Sequence, residues 1–199
     1  MARHGVHRQF ITHIKSLFFA LLFMTLILPG TGLAMEISSV NVRLSNNDLY
    51  VSASVKPDAK FMEDMNEGMS KEVTFYIDLF RVWDVWPDEF VLGKKVVNIL
   101  RSNQIKREYT ATSIHGNIQL EKRFKDLESM LGWAMNVHEM KLANIRELDP
   151  AIYFVKVTVE SRIRKLPPVI GYLLFFVPEK EFSISKNSPH FQISPRGAQ

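Results

Sequence analysis

The densest gathering of groups able to do chemistry lies at positions 78–90. There Asp78, Arg81, Asp84, Asp88 and Glu89 are interleaved with Trp83, Trp86 and Phe90. Two chemistries suit such a mixture. Paired carboxylates work as acid and base on a glycosidic bond when their separation is right, and spacing along a chain does not fix that separation. Arg and Trp together are favoured anchors of protein–protein contacts. A purely structural use competes with both: Trp83 covers a core edge and Arg81 pairs with a carboxylate across a sheet. Arg81, Trp83, Asp84 and Trp86 are taken as the binding patch. An envelope hydrolase using carboxylates at positions 78–89 is the alternative.

Other nucleophiles and ligands offer less. Beyond position 34 the histidines are His115, His138 and His190, with no His-Glu-x-x-His or His-x-His spacing. They are expected to be ordinary turn and surface residues, and no metal or other cofactor is expected. No serine sits in Gly-x-Ser-x-Gly, and Ser161 is followed three residues on by Arg164 rather than lysine. Ser102 and Ser113 fall on strands or their ends. No phosphate-binding loop is present, and no catalytic residue is assigned. Met62, Met65 and Met69 share a helical stripe that suits core packing better than a plastic binding face. The run at positions 121–125, rich in charge, suits a solvated sheet edge. Arg162, Arg164 and Lys165 precede the apolar stretch 166–177. A basic cluster beside an apolar segment is either a core element with solvated cations or a membrane-interface contact.

The start of the chain carries its own signal. Arg3, Arg8 and Lys15 precede an apolar run at 17–28, then Pro29, Gly30, Gly32 and Ala34. A basic stretch, a short apolar core and small residues describe a secretory signal peptide. The core is shorter than the ~20 residues of a comfortable membrane span. Cleavage is expected after Ala34, giving a periplasmic or envelope protein, with an uncleaved inner-membrane signal anchor as the alternative.

The net charge of +4 and isoelectric point near 9.3 owe much to this segment. It holds three basic residues and no acid, so 22 basic residues remain against 21 acidic ones. Nucleic acid is therefore not an expected partner. With no cysteine, disulfides, thiol redox chemistry, thiolate zinc and lipid attachment through cysteine are excluded.

Alternation places the elements that must hold these groups. Val40, Val42 and Leu44 share a strand face. After the turn cluster at 45–48, Leu49, Val51, Ala53 and Val55 share another, making a hairpin. Asp58 caps a short helix that Gly68 ends. Positions 72–83 are apolar on both faces, as in a central strand. Strands follow at 94–100, 107–114 and 117–123, the last two joined at His115-Gly116. Leu127, Met130, Leu131 and Ala134 form a helical stripe with Asp126 and Glu128 at its start. Tyr153, Val155, Val157 and Val159 mark the clearest strand, within 151–163. Phe182 with Ile184, and Phe191 with Ile193, suggest two more. The fold class is mainly β with helical insertions (α+β), an antiparallel β-sandwich for which an immunoglobulin-like topology is one candidate. One strand-rich domain is expected over 35–193, with 194–199 a disordered tail.

Three stretches carry a resemblance: 75–83 (Phe-Tyr-Ile-Asp-Leu-Phe-Arg-Val-Trp), 105–109 with 124–128, and 165–176 running on to Glu181-Phe182. On these the chain resembles exported bacterial proteins catalogued as domain of unknown function number 4390. Relatives often carry a tryptophan soon after the last pair, where this chain has Ser185-Lys186-Asn187. The resemblance implies an envelope location and a single domain, and it implies no chemistry. The expected role is a non-catalytic protein-binding module whose partner is an envelope or membrane protein, with peripheral membrane contact as a further alternative.

Overall fold

The computed structural model describes residues 35–163 and 180–194. Ten strands, two α-helices and a short 3-10 turn are found there. The strands form two antiparallel sheets around one apolar core, a sandwich-like α+β fold.

The small sheet begins with a hairpin, β1 (Glu36–Ser45) and β2 (Asp48–Lys56). Asn46 and Asn47 both take positive φ, as the two-residue I′ turn requires. Leu49, Val51, Ala53 and Val55 are buried, as their alternation predicts. On β1 the pairing slips between Ile37 and Ser39, and Leu44 at the far end is exposed rather than inward.

Helix α1 (Ala59–Asn66) starts at Asp58, whose Oδ1 accepts from the Phe61 N–H at 2.7 Å. Its end is a Schellman motif. Gly68 at φ 86° donates to the Met65 carbonyl, and Met69 donates to that of Asp64. Phe61 and Met65 are buried, but Met69 lies past this stop and is exposed, so the methionine stripe ends at Met65.

The large sheet is built on β3 (Lys71–Arg81), which pairs with β4 (Glu89–Asn103) on one side and β8 (Ala151–Ile163) on the other. β3 is thus central, with Val73, Phe75, Ile77 and Leu79 fully buried. β4 begins earlier and runs later than the 94–100 expected. β5 (Glu108–His115) and β6 (Ile118–Phe124) complete a meander. His115 pairs with Ile118, so the turn residues are Gly116-Asn117, one position later than expected. Gly116 alone there has positive φ, the II′ requirement.

Helix α2 (Leu127–Ala134) is capped by Asp126, whose Oδ1 accepts from the Ser129 N–H at 2.7 Å. That bond holds the Asp126 carboxyl below its ordinary range. Leu127, Met130, Leu131 and Ala134 face the core.

β7 (Asn136–Asn144) joins β2 and completes the small sheet, in the order β1-β2-β7. Sequence reading assigned no strand here. The reason is physical: Glu139 takes φ 39° and the pairing with β2 slips between Val51 and Ala53, so a bulge breaks the alternation.

β9 (Lys180–Asn187) and β10 (Phe191–Ile193) lie end to end on the same edge of β8. Between them the Ser188 N–H donates to the Val155 carbonyl, and the Ser188 hydroxyl accepts from the Val155 N–H. No helix among the described residues is long and apolar enough to cross a membrane.

Candidate functional site

The residues taken as a binding patch lie where β3 ends and in its connection to β4. Phe80 faces Phe90 on β4 and Phe154 on β8, all on the side of the large sheet opposite the core. Their rings make a row. Phe154 stacks on Phe80 at 5.4 Å, Phe90 meets Phe80 edge-on at 5.8 Å, and the His190 ring lies 5.5 Å from Phe154. Beyond the row the chain leaves the sheet through Trp83, Asp84, Val85 and Trp86. Trp86 is 75 % exposed and Val85 88 %, values that make them available rather than structural.

Arg81 and Trp83 are less free. The Arg81 guanidinium lies 4.3 Å over the Trp83 ring, and its Nη1 sits 3.2 Å from Asp149 Oδ2. The Trp83 Nε1–H donates to Glu89 at 3.2 Å. Arg81 thus makes an ion pair, as the structural alternative to a binding role has it, although its carboxylate comes from the loop before β8 rather than from across the sheet. Glu89 stands opposite Arg81 across the β3–β4 pair, and Asp84 and Asp88 lie in the exposed connection between the two strands.

Asp78 does not join them. Its cross-strand partners are Gly93 and Lys156, so no second carboxylate faces it across the sheet. Burial raises its carboxyl above the ordinary range, against the pull of Lys156. At about 3.3 Å per residue it stands some ~10 Å short of the strand end, with Asp84 and Asp88 beyond it.

Two arrangements escaped sequence reading. The first is a buried charge cluster. Lys71 has no exposed side-chain surface, and its Nζ lies 2.6 Å from Asp64 Oδ2. It also pairs with Glu181, whose other oxygen accepts from the Ser161 hydroxyl at 2.9 Å. Lys60 reaches Asp64 from outside at 3.2 Å, and Lys71 lies over the Phe61 ring. The Lys71 hydrogen bond, ahead of that from Lys60 and against burial, holds the Asp64 carboxyl below its ordinary range. Every charge here is answered, which makes the cluster a closed structural element.

The second is a cleft of about 460 Å³ between the inner face of β4–β5 and strand β7, beside the end of α2. It brings His115 and His138 together, with Lys94, Asn98, Trp133 and Met140. His190 is elsewhere, against Phe154. Among the described residues no group of three or more His, Asp or Glu is placed to hold a metal ion.

Arg162 lies on β8, its Nη2 3.5 Å from Glu160. Arg164, Lys165 and the apolar stretch 166–177 fall outside the described residues, as does the tail beyond Ser194.

No curated protein and no solved structure matches the chain. A family model does match, that of the Domain of unknown function (DUF4390), over residues 33–188. With most of its length covered, the chain belongs to that family.

Proposed function

We propose that this is an exported envelope protein, periplasmic once its first 34 residues are removed, and that it binds another protein through the aromatic end of its large sheet. The observation that carries the binding reading is the exposure of Trp86 and Val85 beside Trp83 and Phe90. Bulky aromatics are costly to leave in water and are favoured as interface anchors. The surrounding carboxylates select the partner's chemistry: an apolar anchor flanked by Lys or Arg. Such charges set specificity and association rate more than raw affinity.

The test is capture from envelope extracts with wild type, Trp86→Ala and the double reversal Asp84→Lys, Asp88→Lys. These residues lie at the surface, so the melting temperature stays within a degree or two. A specific partner is retained by wild type, released by Trp86→Ala, and lost from the charge-reversed protein. Identical partners for all three would sink the patch reading.

The export reading rests on the basic stretch, apolar core and small residues before Met35. Mass spectrometry of the protein from its producing cell is expected to find Met35 as the first residue. A chain still carrying 17–28 would instead be a signal anchor.

A further inference from the structure

A sheet edge carries unpaired backbone N–H and C=O groups, and folded chains blunt their edges with bulges, proline, charge or a covering element. Among the described residues the two sheets have four edges, and three of them are blunted. On β1 the pairing slips between Ile37 and Ser39, and the Ile37 and Ser38 carbonyls take the Lys186 ammonium at 2.9 and 3.1 Å. On β7 Glu139 sits in a bulge, and the Lys141 carbonyl takes the Lys94 ammonium at 2.6 Å. The edge made by β9 and β10 is interrupted by Ser188-Pro189-His190.

The fourth edge, β6, has no bulge, no proline and no cover. It pairs with β5 residue for residue from Ile118 to Phe124, and its other side meets no strand among the described residues. Ile118 through Arg123 are all exposed. Ile118, Leu120, Lys122 and Phe124 stand opposite His115, Ser113, Ala111 and Tyr109, and Ala111 is fully buried in the core. These four therefore belong to the inner face of the large sheet. Phe124 packs against the core beside Trp133, whereas Ile118 and Leu120 are left 70 % and 56 % exposed. Two bulky apolar side chains thus stand uncovered on the inner face of a regular, open strand.

Charge is the remaining guard, in Glu121, Lys122 and Arg123. Such a guard fails against a strand that answers each charge, and β6 itself is one. Let two copies pair antiparallel about a two-fold axis at Glu121, so that all seven residues overlap. Ile118 then meets the partner's Phe124, Leu120 lies along the stem of the partner's Lys122, and Gln119 faces the partner's Arg123. The symmetry makes each of these contacts twice. Arg123 pairs with Glu108 at 3.4 Å but is 71 % exposed, which leaves guanidinium donors for the glutamine. Only Glu121 meets its like, and the two arginines stand diagonal to that pair. Moving the axis one residue either way shortens the overlap from seven residues to five. At Lys122 it would also oppose two ammonium groups, and at Leu120 it would leave Arg123 and Phe124 unmatched.

We infer that β6 is a dimerisation edge, through which a second copy of this chain continues the large sheet by antiparallel β6–β6 pairing about Glu121. The pairing uses the open edge of each copy, so assembly stops at two. A single strand pair buries less than the ~1,600 Å² of a standard interface, so the dimer is weak and follows concentration. The aromatic patch lies elsewhere, at the end of β3, and neither reading depends on the other.

Analytical ultracentrifugation of the protein purified from its producing cell, from roughly 10 μM to 1 mM, tests this. Monomer is expected to pass to dimer and no further. Leu120→Lys weakens association roughly tenfold or more. Glu121→Gln strengthens it several-fold, because it removes the like charges on the axis. Both side chains are exposed in the single chain, so the melting temperature of the dilute monomer stays where it was. The chain has no cysteine, so one introduced thiol reads the register directly. Under mild oxidation Glu121→Cys links two copies at least roughly tenfold faster than Gln119→Cys, whose copies stand roughly 13 Å apart along the strands, beyond the reach of a disulfide. A monomer at every concentration overturns the proposal. So does a dimer that Leu120→Lys leaves intact, equal linking at the two cysteines, or a strand of another protein held on β6 by a chain that does not self-associate.

Discussion

Replacing Lys71 with methionine lowers the free energy of unfolding by about 3 kcal/mol, because it leaves Glu181 without its cation and Asp64 with only the exposed Lys60. The ammonium is fully covered, and each carboxylate has been built to meet it. Methionine fills similar space but answers neither charge. Removing all three charges together, as Lys71→Met with Asp64→Leu and Glu181→Met, restores much of the loss, since an apolar replacement of a whole buried pair is close to neutral. Urea unfolding of the single and triple variants at neutral pH decides this. A single variant costing less than about 1 kcal/mol would show the cluster to be wetter than its geometry.

The same cluster has a pH signature. The Asp64 carboxyl is depressed in the folded protein by its bonds to Lys71 and Lys60. A depressed carboxylate contributes stability that is present above the ordinary value of 3.8 and is lost as pH falls through the lower folded value. Wild type therefore loses stability on acidification below about pH 4. Lys71→Met removes the largest cause of the depression, and its acid limb is shallower.

Val159→Asp is the second large effect, with an expected cost upwards of about 4 kcal/mol. Val159 is fully buried, and its cross-strand neighbours are Phe75 and Ile184, neither able to answer a charge. The neighbouring Val157 is equally buried but stands opposite Lys186, which an aspartate there would recruit, so Val159 is the sharper position. Thr158→Asp, on the other face of β8 between Tyr76 and Ser185, costs under about 1 kcal/mol. Thermal unfolding of the two variants compares the faces directly. Equal losses would mean that the inward and outward sets of β8 are misassigned.

How much of this was legible in the sequence depends on the length over which an interaction acts. Alternation is local, and it placed Leu49–Val55, Val73–Leu79 and Tyr153–Val159 on their buried faces correctly. Caps are local too, and Asp58, Gly68 and Asp126 act as their types imply. β7 was missed because its bulge destroys the pattern on which strand recognition depends. Lys71 is in phase with Val73 and Phe75, so its inward direction could have been seen. Its partners could not, since Glu181 arrives from the far end of the chain. The residues at 81–90 could be grouped in the sequence because they are nearly contiguous. The cleft was not legible, because His115 on β5 and His138 on β7 come to line one space only in the folded chain.

The far edge of β8 has a consequence for the outer surface. Opposite Val157, Val159 and Ser161 stand Lys186, Ile184 and Phe182, all even positions. Opposite Tyr153 and Ala151 stand Phe191 and Ile193, both odd. The chain has changed phase between Asn187 and Phe191, and with a period of two that takes one surplus residue. Ser188-Pro189-His190 supplies it. The serine hydroxyl answers the Val155 N–H through the change, and proline, with no N–H to place, sits where none is required. His190, outside both ladders, turns onto Phe154 and ends the ring row. The exposed aromatic surface therefore owes its last member to odd-and-even counting along a strand edge, and not to any attraction between the rings themselves.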